Sequence, residues 1–203
     1  MTPRRTIRSH GRGLPASFYL REDVVCVAHD LLGKVLLTRF DGVITSGIIT
    51  ETEAYAGIHD RASHAFGGRR TARNEPMYAA GGVAYVYLCY GIHHLFNVVT
   101  NQRDVPHAVL IRAISPVEGI DIMRARRGRR PLTTSGPGTL SQALGIHTRH
   151  SGMDLLGDTI RIEDRALVVP DNAITIGPRI GVDYAGDDAL LPYRFRLDPR
   201  SLA

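Results

Sequence analysis

Val35-Leu-Leu-Thr-Arg-Phe40, Asp41-Gly42 and Val43-Ile-Thr-Ser-Gly-Ile-Ile-Thr50-Glu-Thr-Glu-Ala-Tyr55 follow one another in this chain. Two runs rich in β-branched and apolar residues meet at an Asp-Gly pair, which accepts the left-handed backbone of a tight turn, so residues 35–55 predict an antiparallel hairpin. Upstream, Val24, Val25, Ala28, Leu31 and Leu32 recur at helical spacing before Gly33, predicting a helix from Arg21 to Leu32. Downstream, 84–89, 96–99 and 108–114 read as strands, as do the short segments 159–162, 173–176 and 193–197. Ser115, Pro116 and Glu118 have the spacing of a capping box and predict a second helix that stops at Gly128; Ser135-Gly-Pro-Gly138 leads into a short helix over 139–144. These elements amount to an α+β fold, a single mixed domain over residues 17–203 with a curved, mainly antiparallel β-sheet and surrounding helices. Residues 1–16 carry Arg4, Arg5, Arg8 and Arg12 with no acidic residue and are expected to be a flexible basic tail.

The chain has 203 residues, 43% hydrophobic and 22% charged, which excludes a disordered, collagenous or coiled-coil protein. No apolar run approaches the ~20 residues that span a bilayer. The net charge is +5, and Lys34 is the only lysine among 25 basic residues. Arginine suits bidentate phosphate contacts, although coding bias would give the same composition. Cys26 and Cys89 are too few for a disulfide framework or a four-thiolate zinc site. A basic tail with no apolar segment behind it is not a secretory signal, and organelle targeting is the weaker expectation beside a cytoplasmic, nucleoid-associated protein.

Strand alternation over 49–55 puts Glu51, Glu53 and Tyr55 on one face and Thr50, Thr52 and Ala54 on the other. The apolar lead-in Ile48-Ile49 carries this strand into the core, where a carboxylate needs a charge partner or hydrogen bonds, so Glu53 is expected to meet an arginine or water and is a general-base candidate. Tyr85 and Tyr87 share a strand face, and Tyr90 stands with Gly91 where that strand turns. Such rings serve equally as core or as a stacking slot for a flat ligand. Residues 56–82, rich in glycine and arginine, read as a functional loop. His59, Asp60, His64, His93 and His94 lack the spacing of a metal centre and sit beside a cationic loop, so no metal and no other cofactor is expected, and His64 reads as a hydrogen-bonding group on a pocket wall.

Taken in order, Glu51-Thr-Glu-Ala-Tyr55, His64, Gly67-Gly-Arg69 with Thr71 and Arg73-Asn74, Tyr85-Val-Tyr-Leu-Cys-Tyr-Gly91, Asn97, Leu110-Ile-Arg112 and Ser135-Gly-Pro137 resemble the alkyladenine DNA glycosylase family, also called 3-methyladenine or methylpurine DNA glycosylases. The resemblance runs from about Ser17 to Leu197. It implies that Glu53 is the catalytic base and that Arg112 helps hold it and the attacking water. It implies further that Tyr55, His64 and Tyr87 wall the pocket for a flipped base, that Tyr90 fills the gap left in the duplex, and that Asn97 lies on the pocket floor and disfavours guanine.

The expectation is a monofunctional DNA glycosylase, a monomer that acts on double-stranded DNA containing damaged purines and touches no membrane. Arg69, Arg70 and Arg73, with the arginines of 124–130, are expected to hold phosphates. Lys34, far in sequence from the other residues, is not expected to support lyase chemistry. A nucleoside or carbohydrate hydrolase would share the glutamate and the aromatic slot but has no use for a plug residue; a non-catalytic nucleic-acid-binding module leaves Glu53 unexplained.

Overall fold

The computed structural model describes residues 11–128 and 131–202. Its strands are β1 (Arg12–Gly13), β2 (Val35–Phe40), β3 (Val43–Tyr55), β4 (Ala84–Cys89), β5 (His93–Thr100), β6 (His107–Glu118), β7 (Ile160–Asp164), β8 (Ile174–Gly177) and β9 (Arg194–Leu197). Its α-helices are α1 (Ala16–Tyr19), α2 (Val24–Asp30), α3 (Ile120–Arg127) and α4 (Pro137–Leu144). All strands join one antiparallel sheet in the order β1-β7-β2-β3-β6-β5-β4, with β9 against β3 and β8 against β9. The α+β expectation holds.

Asp41 and Gly42 turn between β2 and β3 with φ of +52° and +78°, a twist that matches the strands they join. β3 is the hub of the sheet. Along one edge it pairs with β6; along the other its first half pairs with β2 and its second half, Glu51 to Glu53, with β9. One strand therefore carries both a hairpin and the place where the C-terminal segment docks.

Alternation along β4 and β5 sends side chains to two different layers. Ala84, Val86, Phe96 and Val98 join α2 and α4 in the main core, with Val27, Ala28, Leu31, Leu140 and Leu144. Tyr85 and Val99 face the opposite way, into a second cluster with Ala65, Met77 and Tyr78. The long 56–82 segment, tightened by 3₁₀ turns at Gly57–His59, Phe66–Gly68 and Glu75–Tyr78, thus roofs the sheet face that the helices leave open.

Three expectations need correction. The helix expected from Arg21 to Leu32 is the shorter α2, which starts where the Asp23 carboxylate accepts the backbone N–H groups of Val25 and Cys26; α1 lies before it, outside the expected range. Ser115, Pro116 and Glu118 do not cap a helix, because β6 continues through them. Pro116 lies opposite Gly47 at a register shift, where a missing N–H costs little, and the Glu118 carboxylate accepts from Ser46 instead. The chain turns into α3 at Gly119, whose φ of +67° and contact with the Ile44 carbonyl exclude a side chain. Within the expected tail, Arg12 and Gly13 pair with Asp164 and Glu163, so residues 11–16 belong to the ordered chain; residues 1–10 lie outside the described residues.

Candidate active site

The face alternation of β3 separates its side chains as expected. Thr52 donates to the Ala28 carbonyl on the α2 side, while Glu51, Glu53 and Tyr55 meet on the other. The Glu53 side chain has no exposed surface. Its Oε2 accepts from the Tyr55 hydroxyl at 2.9 Å and from Arg112 Nη1 at 3.3 Å, and its Oε1 accepts from the Ile180 backbone N–H at 2.8 Å. A carboxylate offers about four acceptor positions; three are taken, and one remains on Oε1. Glu51 Oε1 receives Nε of both Arg112 and Arg194, at 3.0 and 2.7 Å. Arg112 thus bridges the two carboxylates and keeps their like charges from facing each other unscreened.

Burial pushes the Glu53 carboxyl above the usual carboxylate range, against the pull of Arg112, the Ile180 N–H and the Tyr55 hydroxyl. Burial, followed by the Glu53 charge, raises the Tyr55 phenol. The result is a proton acceptor stronger than an ordinary glutamate, with a neutral phenol beside it.

Beside this carboxylate opens a cavity of about 410 Å³, room for a purine-sized ligand. Tyr55, His64, Tyr85, Tyr87, Asn97 and Arg112 line it, with Ile180 and Tyr184 on the C-terminal side. Glu53 sits behind Tyr55, Arg112 and Ile180. The Tyr85 and Tyr87 ring centroids are 5.5 Å apart, and His64 stands edge-on to Tyr87 at 4.6 Å with its Nδ1 2.8 Å from the Tyr85 hydroxyl. Burial, then the charges of Arg73 and Arg69, lower the His64 pKa, so the wall is a neutral imidazole. Asn97 spends its amide N–H groups on the Tyr85 and Leu95 carbonyls, at 3.1 and 3.3 Å.

Tyr90 is at the tip of the β4–β5 hairpin. Its φ is +51°, followed by +73° at Gly91, and the Ile92 N–H closes the turn on the Cys89 carbonyl at 3.2 Å. The side chain is 91% exposed at the cavity mouth. An unburied tyrosine in the left-handed region is held there by the turn, with no packing to reward it.

The expected phosphate arginines differ in state. Arg70 is engaged by Glu75 and Asp104 and lies over the Tyr78 ring. Arg73 donates to the Leu88 carbonyl and lies 5.5 Å from the Tyr87 ring centroid, on the cavity wall. Arg69 is exposed. Of the 124–130 group, Arg126 donates to Thr45 and Ala143 and Arg127 is buried against Gln142, so these two secure α3 to α4 and do not form a surface patch. Arg129 and Arg130 lie outside the described residues.

The histidines and Asp60 do not gather. Asp60 is bound by Arg179 at 2.8 Å and His94 by the Thr148 N–H at 3.2 Å, and no group of three possible metal ligands occurs among the described residues. The sequence reading did not anticipate three contributors: the Ile180 N–H, Arg194 and Arg179. The first is a backbone group with no side-chain signature; the other two are single arginines among 24.

Residues 17–201 match the family model described as Methylpurine-DNA glycosylase. A protein of Chlamydia felis is 50% identical over 189 residues, covering 91% of this chain and 96% of its own length. One of Chlamydia pneumoniae is 47% identical over 92% of this chain and 95% of its own, and one of Bacillus thuringiensis 46% over 89% and 93%. Each bears the name "Putative 3-methyladenine DNA glycosylase".

Proposed function

The chain belongs to the methylpurine-DNA glycosylase family, and on that premise we propose that it hydrolyses the N-glycosidic bond of alkylated purines such as 3-methyladenine in double-stranded DNA, leaving an abasic site for base excision repair. The observation that carries this reading is the buried Glu53, held by three donors with one acceptor position left, beside a tyrosine-walled cavity.

The target base must leave the stack, at a cost of a few kcal/mol. Tyr90, already projecting from a stiff turn, occupies the vacated space and offsets part of that cost. The flipped base lies between Tyr55, Tyr87 and His64, with Asn97 on the floor. Glu53 takes a proton from a water aimed at C1′ as the sugar gains positive charge, and Arg112 keeps the carboxylate in place. An alkylated purine carries its own positive charge, stacks well on electron-rich rings and departs without a general acid. A neutral lesion such as hypoxanthine must be protonated to leave. Burial, then the charges of Arg73 and Arg69, disfavour the protonated form of His64, which speaks against it as the source of that proton.

The same reading has the protein act as a monomer on cytoplasmic DNA, with no metal or other cofactor. Arg69 and Arg73 are the nearest phosphate-binding groups, Arg70 contributing after exchange of its carboxylate partners. No helix among the described residues is long and apolar enough to cross a membrane. Lys34 is paired with Asp164 at 2.8 Å, which supports hydrolysis without lyase cleavage. Base release from an alkylated duplex, run beside free alkylated nucleoside and undamaged duplex, tests the proposal. Release from the duplex alone is expected; turnover of the nucleoside at a comparable rate would favour a nucleoside hydrolase, and binding without release a non-catalytic module.

A further inference from the structure

Arg179 is buried and does not line the cavity, yet it touches most of what fixes Glu53. Its Nη1 donates to the Ala54 carbonyl at 2.9 Å, next to Glu53 in β3, and its Nη2 to the Asp188 carbonyl at 3.0 Å. Both nitrogens reach Asp60, whose carboxylate also accepts the Ala56 and Ala62 N–H groups. The guanidinium carbon lies 4.9 Å from the Tyr55 ring centroid and 5.2 Å from that of Tyr193, so it meets Tyr55 from the protein interior while the cavity lies beyond. The next residue along the chain, Ile180, supplies the N–H on Glu53 Oε1.

We propose that Arg179, locked to Asp60, is the positioning residue of this site: it fixes the Ile180 N–H on Glu53 and backs the Tyr55 ring, so that separate donors hold the two carboxylate oxygens. Stability alone is a poor reason for such a pair. Both side chains are almost wholly withdrawn from water, and a buried ion pair frequently returns less than its desolvation costs. What Arg179 achieves is geometric. One planar cation joins the end of β3, the 56–62 turn and the 179–188 segment, which are 125 and 119 positions away along the chain at Ala54 and Asp60. Without that junction the Ile180 amide is aimed only by the packing of Val182 and Ala185 against Ala62 and by the bonds of the Arg61 N–H to Asp188 and the Tyr184 hydroxyl to the Ala62 carbonyl, so the carboxylate leans chiefly on Arg112 and Tyr55.

The inference rests on the glycosylase reading for its assay. The charged and titratable groups around Glu53 are Glu51 and Tyr55 on β3, Arg112 on β6, Tyr87 on β4, Arg194 opposite Glu53 on β9, and Arg179 with Tyr184 from the 179–188 segment. Three proteins decide it: wild type, Arg179→Lys, and the double variant Arg179→Met/Asp60→Asn, which leaves no unpaired buried charge and keeps an acceptor for the turn. Single-turnover excision from an alkylated duplex is measured against pH, with affinity for an abasic-site duplex. Expected in both variants are a fall on the order of 10- to 100-fold at neutral pH, an acid limb displaced to higher pH, and abasic-duplex affinity within about threefold of wild type. A folded double variant with wild-type rate and acid limb overturns the proposal, as does an equal loss at every pH accompanied by weaker abasic binding. If neither variant folds, hydrogen exchange on the unaltered protein decides: Ile180 must exchange as slowly as the β3 amides, and exchange at the rate of an exposed loop refutes its anchoring. A wild-type protein inactive on alkylated DNA would sink the glycosylase reading and leave that exchange measurement to judge Arg179.

Discussion

The Tyr55 hydroxyl donates to Glu53 Oε2 at 2.9 Å from two residues further along the same strand, so one β-strand face supplies both the proton acceptor and a wall of the cavity. Tyr55→Phe keeps the ring and removes one donor to the carboxylate. Burial already holds Glu53 above the ordinary carboxyl value. Losing a hydrogen bond to the charged form raises it further, so the acid limb of excision moves to higher pH and the neutral-pH rate falls a few-fold. An acid limb identical to wild type would mean that the hydroxyl does not serve Glu53.

Glu53→Gln should reduce single-turnover excision by ~10²- to 10⁴-fold while abasic-duplex binding stays nearly intact. Its effect on stability has a definite sign. A carboxyl whose pKa is raised by folding holds its proton more tightly in the native state, so this group stabilises less as pH rises from its unfolded value through the raised one. At neutral pH the neutral amide sheds that penalty, and thermal stability should fall less than is usual for a disrupted buried polar group. Excision within a few-fold of wild type would move the role to Glu51.

Tyr90 combines near-complete exposure with a φ of +51°. Tyr90→Gly removes the ring and relieves the left-handed backbone, whose cost for an ordinary residue is roughly 1–2 kcal/mol. Thermal stability should be maintained or rise, while excision of a lesion in a stable pair drops strongly and excision of the same lesion opposite an abasic site drops little. A large loss of stability with equal losses on both duplexes would mark Tyr90 as a structural residue.

Prolonged EDTA treatment should leave excision unchanged, since Asp60 and His94 have protein partners and no group of three possible metal ligands occurs among the described residues. Activity lost to the chelator and restored by zinc or magnesium would refute this. Borohydride should trap no covalent enzyme–DNA adduct, because Lys34 is the sole lysine and is tied to Asp164.

How far sequence carried the reading depended on the range of each signal. Period-2 alternation is local, so β2, β3 and β4 were legible, along with the face that unites Glu51, Glu53 and Tyr55. Tyr90 was legible because Gly91 marks a turn. Ser115-Pro116-Val-Glu118 misled because Pro at a first helical position and Pro at a strand irregularity look alike until the partner strand is known. The C-terminal half of the site had no local signal. Ile180 acts through its backbone, and Arg179 and Arg194 acquire meaning only from carboxylates 119 and 143 positions earlier.

That separation along the chain bears on how the molecule comes into being. β3 shares one edge between β2, its immediate neighbour, and β9, which follows 143 positions later at Arg194 beside Glu51. During synthesis Glu51 and Glu53 emerge long before the Ile180 amide and Arg194 that hold them. Until then the second half of β3 has β6 along one edge and an open edge on the other, and its two carboxylates have Tyr55 and Arg112 but lack their remaining donors. Long-range closure of this kind is slow, and it makes the finished base a late event. An incomplete chain holds arginines able to meet DNA before it holds a carboxylate set up to act on it.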